Sequence, residues 1–336
     1  MKAFTISRYS KTDELQLRDV PDPVVLDNDV LVEIHAASVN LLDSKIRSGE
    51  FKLFLPYKFP LILGHDVAGV ITQVGANVRR FKVGDAVYAR PADHRIGAFA
   101  EFIAIHENDV ARKPSNISME EAASIPLVGL TAWQALVEKA RLQKGQKVFI
   151  QAGSGGVGTF AIQLAKHLGA TVATTASAAN ADWLKGLGAD VVVDYKTQDF
   201  ETLLRDYDVV LNSQDTKTLH KSVSTLKAGG KLISISGPPD AQFATDAGLP
   251  CLLKGVMRLL SYKIRKAAKL RQINYAFLFM KAQGEQLQKI TALIEAGAIL
   301  PVVDKVFSFD QTNEALAYVE SGRAKGKVVI KVKYML

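Results

Sequence analysis

The 336-residue chain sets 42 Lys and Arg against 34 Asp and Glu, for a formal net charge of +8, and is 48% hydrophobic and 23% charged. That balance is globular, and the length allows two hydrophobic cores. No apolar run reaches the roughly 18 residues that span a bilayer. The single cysteine, Cys251, excludes an internal disulfide and fits a reducing compartment, taken here as the cytoplasm.

The opening stretch, MKAFTISRYSKTDELQL, contains acids and lacks the apolar centre of a signal peptide; residues 3–6 read as a first strand. Short strands and turns continue to about residue 122. Residues 31–36 alternate, and GVITQVGANVRRFKVGDAVYA reads as two strands around turns at Gly75 and Gly84. Strands are then predicted at 147–151, 171–175, 190–193, 208–211 and 231–235, with a sixth at 274–280 and helices between them. This alternation predicts an α/β fold with a doubly wound parallel sheet. GEQLQKITALIEAG reads as an amphipathic helix ending at Gly297, and 327–332 as a last strand.

Within that pattern, Gly153-Ser154-Gly155-Gly156-Val157-Gly158 matches G-x-G-x-x-G between an apolar strand and a helix. In that setting the glycines allow a tight turn, backbone approach to a pyrophosphate and close helix–strand packing. The helix N-terminus then offers N–H donors to phosphate. At the end of the second strand, where a carboxylate would bind the ribose 2′-hydroxyl of NAD, the chain has Thr175, Ala176 and Ser177. Small hydroxyl side chains leave room for a 2′-phosphate that an acid would repel, so NADPH is expected. Asp182 falls, by spacing, inside the next helix.

The basicity is local. No acid lies between Asp246 and Glu285, whereas Lys254, Arg258, Lys263, Arg265, Lys266, Lys269, Arg271 and Lys281 do. Leu253, Val256, Met257, Leu260, Ile264 and Ala268 recur at helical spacing, predicting one apolar face. Three readings of 250–272 stand: a solvated helix face, a lid that attracts anions, or a membrane-surface helix. Nucleic acid is not expected as a partner, because no matching basic surface or motif accompanies the window.

Six stretches together resemble the medium-chain dehydrogenase/reductase superfamily, in its zinc-independent quinone oxidoreductase branch. They are ASVNLLDSKIRSG (37–49), LGHDVAGVITQVGANVRRFKVGDAVYA (63–89), GAFAEFIAI (97–105), AASIPLVGLTAWQAL (122–136), QAGSGGVG and GRAKGKVVIKV (322–332). The resemblance implies a GroES-like, partly open β-barrel from 1–124 and 299–336, a Rossmann domain from 125–298, and a homodimer through Rossmann edge strands. One thiol rules out a four-cysteine structural zinc. Asn40 stands where zinc-dependent relatives place a cysteine, and His65, although it matches a ligand position, lacks ligand partners. No metal is expected, and His65 is read as a hydrogen-bonded wall residue. Without a Lewis acid for an alkoxide, the natural acceptors are already electron-poor: quinones or α,β-unsaturated carbonyls. Enoyl-thioester or 2-haloacrylate reduction is the alternative chemistry, and a nucleotide-binding scaffold with little turnover the alternative class.

By the same resemblance, Asn40 would meet the nicotinamide ribose or substrate carbonyl, or simply stabilise a turn. Asp43 follows in the motif. Lys45 would be an electrostatic stabiliser or proton donor, or a plain surface lysine. Tyr57 would line the substrate mouth or pack the wall. Thr131 would lie beside the nicotinamide, and Ser154, Gly155, Gly156 and Val157 would bind pyrophosphate through backbone. Ser177 and Tyr195 would meet the adenine ribose and 2′-phosphate, with Arg323, Lys196 or Lys185 supplying charge. Ser213 and Ser236 are placed at the sheet's carboxyl edge.

Overall fold

The alternation at 31–36 belongs to an eleven-residue strand, Asp29–Val39, whose inward positions Val30, Val32, Ile34 and Ala36 are fully buried. The computed structural model describes residues 1–333. In chain order the strands are β1 (Lys2–Ile6), β2 (Gln16–Asp19), β3 (Asp29–Val39), β4 (Leu61–Ile62), β5 (Asp66–Val74), β6 (Ala86–Ala89), β7 (Phe102–His106), β8 (Val110–Arg112), β9 (Lys147–Ile150), β10 (Thr171–Ala176), β11 (Val191–Asp194), β12 (Tyr207–Asn212), β13 (Leu226–Ser234), β14 (Asn274–Phe277), β15 (Val303–Ser308) and β16 (Lys327–Lys331). The chain divides into a unit of residues 1–130 plus those from Lys281 on, and a unit of Thr131–Met280.

In the first unit a seven-stranded sheet runs β15-β16-β3-β5-β6-β8, with β7 also paired to β3, beside a three-stranded sheet β2-β1-β4. Register breaks between Leu31 and Val32 and between Ile34 and Ala36 interrupt the β3–β5 ladder. Such bulges bend a sheet and sharpen its twist.

The second unit is a six-stranded, all-parallel sheet in the order β11-β10-β9-β12-β13-β14. Its central strands read as unbroken apolar runs, with Val148, Phe149, Ile150, Val209, Val210 and Leu211 all buried, because both faces are covered. The strand order reverses between β9 and β12, where open α/β sheets hold ligands at the carboxyl edge.

Two expectations are corrected. The helix Gly284–Glu295, placed by sequence in the second unit with a boundary at 298, belongs to the first. Tyr88 Oη donates to Leu287 O at 2.8 Å, Asn116 Nδ2 to Ile294 O at 3.0 Å and Thr291 Oγ1 to Arg112 O at 3.0 Å. A helix after a strand looks the same locally wherever it docks; those distant partners decided the matter. The basic window forms two helices, Cys251–Leu260 and Tyr262–Leu270, rather than one. Met257, Ile264 and Ala268 are buried as predicted and, with Ser261, keep the spacing i, i+4, i+7, i+11. Val256 and Leu260 face solvent because each stands one residue before a buried position and falls beside that narrow stripe.

Candidate functional site

The chain leaves β9 through Gln151 and Ala152 and is tied to β10 at once. Ala152 N–H donates to Thr175 Oγ1 at 3.1 Å and Gly153 N–H to Thr175 O at 2.9 Å. A Cβ on Gly153 would lie 2.2 Å from Thr174 Oγ1, and one on Gly158 would lie 2.3 Å from Ala152 O and 2.7 Å from Gly153 Cα. The fold itself therefore requires these two glycines. Gly155 differs: its φ is −80°, and a Cβ there would meet only Ala152 O at 3.5 Å, an ordinary contact. Nothing in the chain demands glycine at that position, whereas a pyrophosphate laid against the backbone would. Gly155 is also the N-cap of the helix Gly156–His167, and no side chain caps that helix. Its first N–H groups and positive dipole end are left for an anion. Ser154, Gly155, Gly156 and Val157 are half-buried between the buried Gly153 and Gly158. The turn fits a dinucleotide's pyrophosphate.

Ser177 follows the last residue of β10, and Tyr195 N–H donates to Ala176 O at 3.2 Å, so the two stand together at the carboxyl ends of neighbouring strands. Tyr195 is exposed. No carboxylate ends β10; Asp182 lies in the helix Ala181–Gly186 with its side chain in solvent, 3.9 Å from Lys185 Nζ. Thr175, by contrast, is engaged by the turn.

At the switch between β9 and β12 a buried polar chain closes the carboxyl edge. Asn212 Nδ2 donates to Gln151 Oε1 at 2.5 Å, Gln151 Nε2 to Ser222 Oγ at 2.5 Å, and Ser234 Oγ to Asn212 Oδ1 at 2.8 Å. Ser213 Oγ donates to Gln151 O at 3.3 Å and Ser236 Oγ to Gln214 O at 2.5 Å, so both predicted serines border this chain. Sequence reading passed over Gln151, Asn212 and Ser234. The available signal was a polar residue closing an otherwise apolar strand, in KVFIQ and VVLN.

The ASVNLLD and GHDVAG motifs of the first unit meet in a second buried network. Asp43, fully buried, accepts from Asn40 N–H at 2.8 Å and Gly64 N–H at 3.1 Å, with His65 Nδ1 2.6 Å away. A carboxylate bonded this way only accepts, which assigns the proton to Nδ1. His65 Nε2, also buried, has no hydrogen-bond partner among the described residues. Asp66 accepts from Ser38 Oγ at 2.7 Å, Asn40 Nδ2 at 2.9 Å and Leu127 N–H at 2.6 Å, and pairs with Lys327 Nζ at 3.2 Å. Lys327 Nζ also donates to Asn40 Oδ1. The Asn40 amide thus has its oxygen and its NH2 engaged inside this unit. Lys327, Asp66 and Ser38 were missed by sequence reading, although Lys327 is a cation within an apolar strand.

Lys45 is half-buried, with Nζ 3.2 Å from Glu50 Oε1 and 5.7 Å from the Phe51 ring centre. Tyr57 Oη donates to Asp93 O, and burial, aided by the Asp93 charge, pushes its ionisation well above the ordinary range. Thr131 is buried in the helix Pro126–Trp133, and Arg323 is exposed in the loop before β16. Among the described residues no group of three or more His, Cys, Asp or Glu could hold a metal ion.

Two family models match the chain: an alcohol dehydrogenase GroES-like domain over residues 26–115 and a zinc-binding dehydrogenase domain over 187–330. The mitochondrial NAD(P)H oxidoreductase RTN4IP1 of Danio rerio is 35% identical, over 99% of this chain and 91% of that protein. The 2-methylene-furan-3-one reductase of Solanum lycopersicum is 36% identical, over 98% of this chain and 79% of that protein. Among solved structures, the quinone oxidoreductase of Coxiella burnetii superposes with a TM-score of 0.84 at 30% identity, covering 99% of each chain.

Proposed function

The chain belongs to the medium-chain dehydrogenase/reductase superfamily, in its zinc-independent quinone oxidoreductase branch with GroES-like and Rossmann-like parts, and on that premise we propose that it is an NADPH-dependent reductase of quinones or α,β-unsaturated carbonyls. The observation that carries the reading is Gly155, a glycine for which the chain itself has no steric need, at the uncapped start of the helix Gly156–His167. Ser154, Gly155, Gly156 and Val157 hold the pyrophosphate through backbone. Ser177 and Tyr195 receive the phosphorylated ribose, with Lys185 or Lys196 contributing charge. Thr131 and the carboxyl-edge residues Ser213 and Ser236 complete the cofactor's surroundings, and a second copy adds at the outer edge of β14.

When bound, the reduced nicotinamide supplies a hydride to the β-carbon of an enone, or to a quinone. The α-carbon then needs a proton. Tyr57 is tied to Asp93 O and is a weaker acid than a free tyrosine, while Lys45 is paired with the exposed Glu50. Water is therefore assigned as the proton source, and Asn40, Asp43 and His65 as a fixed wall that holds the motif in shape.

The test is NADPH oxidation with menadione, an alkenal and an enoyl-CoA, with mass spectrometry of the alkenal product. Deuterium from 4-deuterated NADPH is expected at the β-carbon and deuterium from heavy water at the α-carbon. In the same assay, Tyr57→Phe and Lys45→Met are expected to keep kcat within about fivefold, below the roughly hundredfold effect of losing a general acid. No turnover on any acceptor, with tight NADPH binding, would overturn the reading.

The 2′-phosphate assignment has its own test. Ser177→Asp sets a carboxylate at the end of β10, where it repels that phosphate and accepts from a 2′-hydroxyl. The NADPH-to-NADH ratio of kcat/KM is expected to fall by at least about tenfold. An unchanged ratio would place the phosphate elsewhere.

A further inference from the structure

The helix pair Cys251–Leu260 and Tyr262–Leu270 carries a surface that the proposed chemistry does not use. Met257, Ile264 and Ala268 are buried, and Ile264 and Ala268 join the cluster of Phe149, Leu219 and Leu232, so the pair is anchored to the core of its unit. The outward side is both apolar and cationic. Leu252, Val256 and Leu259 are 79%, 44% and 76% exposed at spacing i, i+4, i+7, which makes one ridge, with Leu260 beside it. On the second helix Tyr262, Lys266, Lys269 and Leu270 share an exposed face by the same spacing. Lys254, Arg258, Lys263 and Arg271 are exposed nearby, and the stretch from 247 to 284 contains no acid. None of these cations forms an ion pair among the described residues.

An occupant must match both features. A second copy meeting this face symmetrically would bring its cations against their own kind. Nucleic acid would match the charges but leave the leucine ridge in water. An anionic lipid interface matches both: apolar side chains enter the acyl boundary, lysine stems snorkel, and the ammonium groups meet lipid phosphates. No helix among the described residues is long and apolar enough to cross a membrane, so the contact would be peripheral. We propose that this helix pair docks the protein onto the surface of an anionic bilayer.

The test is co-sedimentation of the full-length protein with phosphatidylcholine vesicles, with and without roughly one-third phosphatidylglycerol. Binding is expected to be at least about tenfold tighter on the anionic vesicles and to weaken at high salt. Leu252→Ser/Leu259→Ser and Lys263→Glu/Lys266→Glu/Lys269→Glu are each expected to lower it by at least about tenfold. All five side chains are exposed, so NADPH oxidation and melting temperature should not change. Equal binding to neutral vesicles, or loss in the charge variant alone, would overturn the proposal. So would a mass by light scattering that halves in the leucine variant, which would assign the ridge to a second copy.

Discussion

Gly155→Ala is expected to weaken NADPH binding by about tenfold or more, while the unliganded protein melts within a few degrees of the parent. The added methyl has room in the chain, since its only neighbour is Ala152 O at 3.5 Å and φ is −80°, where alanine is at ease. The residue's N-cap position accounts for a loss of at most about 1 kcal/mol. The same methyl at Gly158 meets Ala152 O at 2.3 Å and Gly153 Cα at 2.7 Å, both backbone atoms that cannot rotate away. Gly158→Ala is therefore expected to cost on the order of 1–3 kcal/mol of stability, as overpacking does, whether or not cofactor is present. Calorimetric titration with NADPH and thermal melts of both variants separate the two roles. If both glycines prove purely structural, with Gly155→Ala binding like the parent, the pyrophosphate does not lie over this turn.

That contrast also shows where sequence reading works and where it stops. The glycine run, the strand before it and the missing acid at Ser177 are local features, carried by residues adjacent in the chain. The parallel sheet followed from them, because apolar strands alternating with helices have few other ways to bury both faces. Helix Gly284–Glu295 was assigned to the wrong unit because its amphipathic pattern states that one face is buried but not against what. The window 250–272 failed for a related reason. Its apolar pattern implied a face wide enough to take in Val256 and Leu260, whereas the buried stripe is the single line of Met257, Ser261, Ile264 and Ala268, which leaves both outside. The network around Asn40 was half legible: the motif names Asn40, Asp43 and His65. The cation that organises it, Lys327, lies 287 residues from Asn40, and no spacing rule reaches that far. The resemblance implied that Asn40 meets cofactor or substrate, with a turn-stabilising role as the alternative; within the first unit its amide is bonded to Lys327 and Asp66.

Lys327→Met is expected to lower stability by about 3–5 kcal/mol, in the range for removing one partner of a buried ion pair. Asp66 is wholly buried and Lys327 nearly so, so water cannot replace the lost ammonium. Ser38 Oγ, Asn40 Nδ2 and Leu127 N–H would still satisfy the carboxylate's lone pairs, but none of them carries a compensating charge. Methionine fills most of the lysine's volume, so the loss is electrostatic more than a cavity effect. Adding Asp66→Asn removes the stranded charge and should recover about 2 kcal/mol or more, whereas Asp66→Asn alone leaves the ammonium stranded and is destabilising. Urea denaturation of the four proteins in this cycle measures the coupling. A single Lys327→Met variant that loses less than about 1 kcal/mol, the range of a solvated surface pair, would show that water reaches the site. The buried position of Asn40 would then lose its support, and its amide would be available to a ligand after all.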